Sequence, residues 1–412
     1  MEKVLIVKVF KESRGHEFDA DLEELRGLVE TAGGKIIDVV AQKRHSVDPA
    51  FYIGKGKAYE IGIDYKDTVD LIVFDADLKP LQVKNLEEAT NKRIIDRAQV
   101  ILDIFARRAR TNEGKLQVEF AQLNYLLPRL TGHGVEMSRL GGGIGTKGPG
   151  ETKLESDRRK IKKRIQRIGL ELKKVKEIRA GQRERRKSVP VPLISIVGYT
   201  NVGKTMLLNT LTNAGMLSED KLFATLDPKI KQYVLPNRLK VLFSDTVGFI
   251  KQLPPYLVAA FRATLEEVIE ADIILHVIDI SNAEYQKQKE TVYDILKEIG
   301  AYENKIILEV YNKLDKVDKD KQMLYHNKRN SFYISAATGE GLKALIKGIE
   351  ETLSIGLIEK EIQIPFDKKN LLNIFFNEGV VLSEAYTGEG VTARVRCMQK
   401  TYEKYLKNIQ SG

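Results

Sequence analysis

Eight residues, GYTNVGKT from Gly198 to Thr205, set two glycines, a lysine and a hydroxyl at the spacing GxxxxGK[ST]. A loop of this kind binds polyphosphate when it leaves a strand and opens a helix. Apolar LISIVG precedes it and MLLNTLTNA follows it, so both flanks are in place. Gly198 and Gly203 let the backbone of Tyr199, Thr200, Asn201 and Val202 wrap closely around oxygens. The loop N–H groups and the helix N-terminus then favour negative charge. Lys204 is placed to reach the β- and γ-phosphates of a nucleotide, and the Thr205 hydroxyl to ligate Mg²⁺.

A second element, DTVG, ends a strand about 40 residues further on (Asp245, Thr246, Val247, Gly248). The Asp245 carboxylate suits Mg²⁺ through water. Gly248 has no Cβ, so its N–H can approach a γ-phosphate. The third element, NKLD, covers Asn312, Lys313, Leu314 and Asp315. Guanine presents N1–H and N2–H₂ on one edge, and the Asp315 carboxylate can accept both. Adenine would leave that carboxylate unpaired and desolvated. Lys313 supplies a stem that can lie along the base. In SAA (Ser335, Ala336, Ala337), the Ala336 N–H is expected to reach guanine O6. Between the first two elements lies LFATLDP, containing Phe223, Ala224, Thr225, Leu226 and Asp227. Thr225 is the expected mobile ligand that completes the Mg²⁺ shell around a γ-phosphate. These elements, in this order, describe a Mg²⁺-dependent P-loop GTPase. Lys204, Thr225 and Gly248 are its candidate catalytic groups, and Thr205, Thr225 and Asp245 its candidate metal ligands.

The strands expected to position these elements are LISIVG (193–198), VLFSDT (241–246), IILHVID (273–279), KIILEVYNK (305–313) and SFYISA (331–336). They alternate with helical stretches, which predicts a doubly wound, mostly parallel sheet across 189–355. Residues 1–110 repeat the alternation on a smaller scale, with strands at 4–10, 35–40 and 70–75 and helices at 18–32, 55–64 and 79–91. This predicts an N-terminal α/β domain. Residues 356–412 read as a small α+β domain. In VTARVRC (391–397) the alternation puts Val391, Ala393, Val395 and Cys397 on a buried face.

Residues 111–188 differ. Leu116, Phe120, Leu123, Leu127 and Leu130 form a heptad-like stripe, and Ile161, Ile165, Ile168, Leu172 and Val175 form a second. Pro128 is expected to end or bend the first helix. Between the stripes, eight of the twenty residues 131–150 are glycine, which argues against regular structure. The pattern predicts an antiparallel helical hairpin around a glycine-rich loop. Residues 151–188 carry sixteen Lys and Arg against six Asp and Glu. That excess equals the whole net charge of +10 of the 412-residue chain. Such a concentration fits a polyanion, and Arg139, Lys147, Lys153, Arg158, Arg159, Lys162 and Lys163 are the candidate RNA contacts.

Cys397 is the single cysteine, which excludes an intrachain disulfide and a four-thiolate zinc site. No apolar run approaches the ~18–20 residues that span a bilayer, and the N-terminus lacks a signal-peptide pattern. The expectation is a soluble, cytoplasmic monomer with no integral membrane segment.

RTNEGKLQVEFAQLNYLLPRLTG (110–132), SRLGGGIGTKGPGETKLESDRR (138–159), LFATLDP, DTVGFI and FYIGKGKAYEI (51–61) carry a more specific signal. On these stretches the chain resembles the HflX family of translational GTPases along nearly its whole length. The resemblance implies binding to the large ribosomal subunit, through its RNA and proteins, and GTP-dependent splitting of stalled or idle ribosomes under stress. It also implies that the glycine loop and basic helices enter ribosomal RNA near the peptidyl-transferase region. Phe249 stands directly after DTVG, where many small GTPases carry a glutamine that orients water. Phenylalanine cannot, so hydrolysis is expected to depend on positioning and on a partner. GKGK (Gly54–Lys57) suggests an ATP site in the N-terminal domain, but it lacks the full P-loop pattern. Two alternatives share these features: a GTPase of large-subunit assembly, and an RNA-remodelling protein driven by ATP.

Overall fold

The computed structural model describes residues 1–10, 15–130, 149–187, 191–212, 222–223, 229–251, 265–303, 305–322, 330–388 and 390–410. They fall into two units. Met1–Val175 with Leu222 and Phe223 form the first, and the remainder forms the second.

The first unit holds a parallel sheet in the order β2-β1-β3-β4, made of β1 (Lys3–Phe10), β2 (Lys35–Lys43), β3 (Leu71–Phe74) and β4 (Arg93–Asp96). Central β3, LIVF, is buried at every residue because helices cover both faces of a parallel sheet. Edge strand β2 is largely exposed. The connecting helices α1 (Gly15–Thr31), α2 (Lys55–Asp64) and α3 (Pro80–Thr90) lie close to their expected bounds. Strand β4 and the following helix α4 (Arg97–Arg108) were not anticipated, since RIID is too short to show a period.

Helix α5 (Asn112–Arg129) has a second face beside the apolar stripe. Its most buried residues are Gly114, Gln117, Val118, Ala121 and Tyr125, while the Leu116–Leu130 stripe is only half-buried. The buried face belongs to the N-terminal domain. Asp96, fully buried at the end of β4, accepts from the Gln99 N–H (2.9 Å), the Tyr125 hydroxyl (3.0 Å) and Arg129 (2.9 Å). The Arg129 guanidinium also stacks 3.5 Å from the Tyr125 ring centroid. Burial raises the Asp96 carboxyl pKa, and these donors and the arginine oppose the rise. Pro128 lies inside the last turn of α5, one residue before its end, so the helix stops as predicted.

Helix α6 (Pro149–Lys187) runs 39 residues and starts two residues inside the expected loop. Its apolar stripe is the less exposed face, with Ile168 fully buried. Arg164 forks onto Glu119 of α5 at 2.6 and 2.7 Å, a bidentate pair that fixes the two helices side by side.

In the second unit six strands order as β10-β9-β8-β5-β7-β6. They are β5 (Leu193–Gly198), β6 (Lys229–Val234), β7 (Lys240–Asp245), β8 (Ile273–Asp279), β9 (Ile306–Asn312) and β10 (Ser331–Tyr333). All pairs are parallel except β6 with β7. Strand β6, KIKQYV, was missed because an edge strand with polar residues on both faces carries no alternation. Strand β5 sits between β7 and β8, so the chain leaves it at the point where the strand order reverses. That is the topological switch point, where open α/β sheets bind ligands. A three-stranded antiparallel sheet, β11 (Leu357–Pro365), β13 (Gly390–Met398) and β12 (Gly379–Thr387), completes this unit. Val391, Ala393, Val395 and Cys397 face its core, as the alternation requires. No helix among the described residues is long and apolar enough to cross a membrane.

Candidate functional site

Five strand ends meet at the carboxyl edge of the second unit's large sheet. Strand β5 releases the loop Gly198–Thr205, and Lys204 begins helix α7 (Lys204–Thr212). The glycines are required by crowding. A Cβ on Gly198 would lie 2.3 Å from Val277 O, and one on Gly203, at φ +93°, 2.4 Å from Asn312 Nδ2. Asn201 takes a left-handed conformation at φ 61°.

Lys204 is buried, and its Nζ donates to Tyr199 O (2.6 Å) and Gly198 O (3.2 Å). Burial lowers its pKa to about 8, with Asp245 opposing and Lys313 adding to the fall. Thr205 Oγ1 donates to Asp245 Oδ2 at 2.7 Å, and Asp245 is fully buried at the end of β7. A hydroxyl and a carboxylate at this separation form a hard-oxygen pair, the donor chemistry Mg²⁺ takes. The metal-ligand candidates Thr205 and Asp245 are therefore brought together. Thr225, with Ala224, Leu226 and Asp227, lies outside the described residues. Phe223 is described, and it belongs to the first unit. Its ring is buried in the first unit, edge-on to Phe105 at 4.6 Å.

After β7, Thr246 turns its hydroxyl into the sheet, donating to Ile196 O at 2.7 Å, so that side chain is structural. Gly248 lies hard against the loop. A Cβ there would meet Thr200 Cα at 2.9 Å and Lys204 Nζ at 3.0 Å. The next residues are tied down by main-chain bonds. The Phe249 N–H donates to Gly198 O (3.1 Å) and the Thr200 N–H to Phe249 O (2.8 Å). The Phe249 side chain is buried.

The base-recognition elements also converge. Asn312 is buried and bridges two loops rather than facing solvent. Its Nδ2 donates to Val202 O (2.8 Å) and its Oδ1 accepts the Ala336 N–H (2.8 Å). The N–H expected to reach guanine O6 therefore already has an acceptor here. Asp315 is exposed, with one oxygen held by the Ser335 hydroxyl at 2.5 Å. That contact fixes the carboxylate while leaving acceptor capacity for a base edge. Lys313 adopts φ 63° and pairs with Asp279 at 2.7 Å. Sequence reading missed Asp279; the signal was its place at the end of the strand IILHVID, whose neighbour turned out to be the NKLD strand.

Of the candidate RNA contacts, Arg158, Arg159, Lys162 and Lys163 are exposed on α6. Lys153 lies within that helix, while Arg139 and Lys147 fall outside the described residues. At GKGK, Gly54 caps α2, Lys57 pairs with Glu60 (2.5 Å) and Lys55 lies over the Tyr59 ring. The two lysines thus interact within their own helix.

The chain is similar to known GTPases along most of its length. Four family models match in series: a GTP-binding GTPase N-terminal region at residues 19–106, a GTP-binding GTPase middle region at 108–186, a 50S ribosome-binding GTPase at 193–313 and an HflX C-terminal domain at 322–405. GTPase HflX of Caldanaerobacter subterraneus subsp. tengcongensis is 43% identical over 409 residues, covering 99% of this chain and 94% of that protein. GTPase HflX of Escherichia coli is 40% identical, covering 96% and 93%. Among solved structures, a GTP-binding protein from the archaeon Sulfolobus solfataricus in complex with GDP is 30% identical, with TM-score 0.45, covering 85% of this chain and 98% of that one.

Proposed function

The chain belongs to the HflX family of GTPases, and on that premise we propose that it binds the large ribosomal subunit and dissociates stalled or idle ribosomes while GTP is bound. Hydrolysis to GDP and phosphate then times its release. The observation that carries this reading is a row of exposed cations, Arg158, Arg159, Lys162 and Lys163, on a 39-residue helix of the chain that bears the GTP site. The match of residues 193–313 to a model described as a 50S ribosome-binding GTPase supports it.

In the GTP site the loop N–H groups from Asn201 to Thr205 cradle the phosphates, while the Thr200 N–H is held by Phe249 O. Lys204 holds the β- and γ-phosphates, and Asp315 selects guanine. Thr205, Asp245 through water and, when the γ-phosphate is present, Thr225 would hold Mg²⁺, which would supply positive charge against the phosphates. Gly248 offers its N–H to the γ-phosphate. Phe249 has no group to orient water, so intrinsic turnover is slow and ribosomal contacts supply the missing order.

The binding half of the proposal is tested by sedimentation. The variant Arg158→Glu, Arg159→Glu, Lys162→Glu, Lys163→Glu should lose more than about tenfold in affinity for large subunits. Its log–log salt dependence should flatten by about 0.7–0.9 per lost phosphate contact. Circular dichroism checks that the helix persists. Unchanged binding would place the ribosome contact elsewhere.

A further inference from the structure

We propose that Tyr199 is a positioning residue for hydrolysis, its phenol oxygen clasping the segment after DTVG onto the phosphate loop. Tyr199 occupies a variable position of the loop pattern, where phosphate binding needs only a backbone N–H. Its side chain is nonetheless buried, and its hydroxyl oxygen accepts the Lys251 N–H at 2.9 Å. Two further bonds, Phe249 N–H to Gly198 O and Thr200 N–H to Phe249 O, join the same two segments as a parallel bridge between Tyr199 and Phe249. Three hydrogen bonds therefore lock residues 249–251 to residues 198–200. Two are main-chain bonds open to almost any sequence, and the third exists because residue 199 is tyrosine.

Gly248 is the residue this lock immobilises. It sits directly before the clasped segment, its Cα side packed on Thr200 and on Lys204 Nζ. Lys204 is the group that meets the terminal phosphates, so the clasp fixes a backbone N–H beside the reacting phosphoryl group. In a site whose next residue is phenylalanine, this pre-arrangement takes up ordering that a glutamine would otherwise provide. The GDP portion of the nucleotide is held by the loop N–H groups from Asn201 to Thr205 and by Asp315, none of which the Tyr199 hydroxyl touches. The hydroxyl should therefore act on turnover more than on ground-state binding.

The test is Tyr199→Phe in the full chain, which removes one oxygen and keeps the ring. Single-turnover GTP hydrolysis should fall about tenfold, equivalent to about 1.4 kcal/mol, with GDP affinity and KM within twofold of wild type. Amide hydrogen exchange at Lys251 should accelerate in the same variant. Lys251→Pro, which deletes the donor N–H and leaves Tyr199 intact, should reproduce the turnover loss. The double variant should be no slower than either single one. Turnover within twofold of wild type in Tyr199→Phe would overturn the proposal. So would an equal loss in GDP affinity, or unchanged exchange at Lys251.

Discussion

Lys204→Ala should reduce GTP hydrolysis by about a thousandfold, the upper end of what losing one charged donor to a transferring phosphoryl group costs. No other described side chain joins a buried ammonium to the mouth of the phosphate loop. The buried position also predicts a pH signature. Burial lowers the ammonium pKa to about 8, and only the protonated form attracts phosphate. Below about pH 8 the lysine is already charged, so nucleotide affinity should be flat. Above it each binding event must take up a proton, and affinity should bend toward a tenfold fall per pH unit. Titration with fluorescent GDP from pH 7 to 9 measures this. The bend should vanish in Lys204→Ala, and a flat wild-type profile would contradict the assignment.

The second large effect concerns the base. In Asp315→Asn one side-chain oxygen remains to accept guanine N1–H, and the amide nitrogen is set against the guanine 2-amino group, donor against donor. GTP affinity should fall by about a hundredfold or more. Xanthine carries a carbonyl where guanine carries that amino group, so the new amide can donate to it. The variant should accept XTP in preference to GTP in a competition assay. Equal loss for both nucleotides would mean that Asp315 acts through its Ser335 hydrogen bond and not on the base.

Phosphate and guanine chemistry explain why the loop, DTVG and NKLD were legible in the sequence. Each demands particular residue types at fixed spacing, and each lies at the end of an apolar run long enough to read as a strand. Features that depend on strand order were not legible. The Asp279–Lys313 pair requires β8 beside β9, and the Tyr199–Lys251 bond requires the DTVG segment to fold back on the end of β5. Helix α5 carries a core face that the sequence did not show. Its strongest apolar period is the half-buried face, while its core face uses Gly114, Gln117, Ala121 and Tyr125. Small and polar residues that pack tightly, or bond to Asp96, carry little weight in a count of large apolar side chains. Phe223 shows the limit of motif reading. It sits within LFATLDP, yet its burial against Phe105 belongs to the first unit.

The most direct test of the account is light scattering of assembled ribosomes mixed with the purified full chain. GTP, or a non-hydrolysable analogue, should produce a fall in scattering as subunits separate, and GDP should not. GTP turnover in the same samples should rise well above that of the protein alone. Stimulated turnover with unchanged scattering would contradict ribosome dissociation as the function and leave a GTPase that acts on the large subunit in some other way.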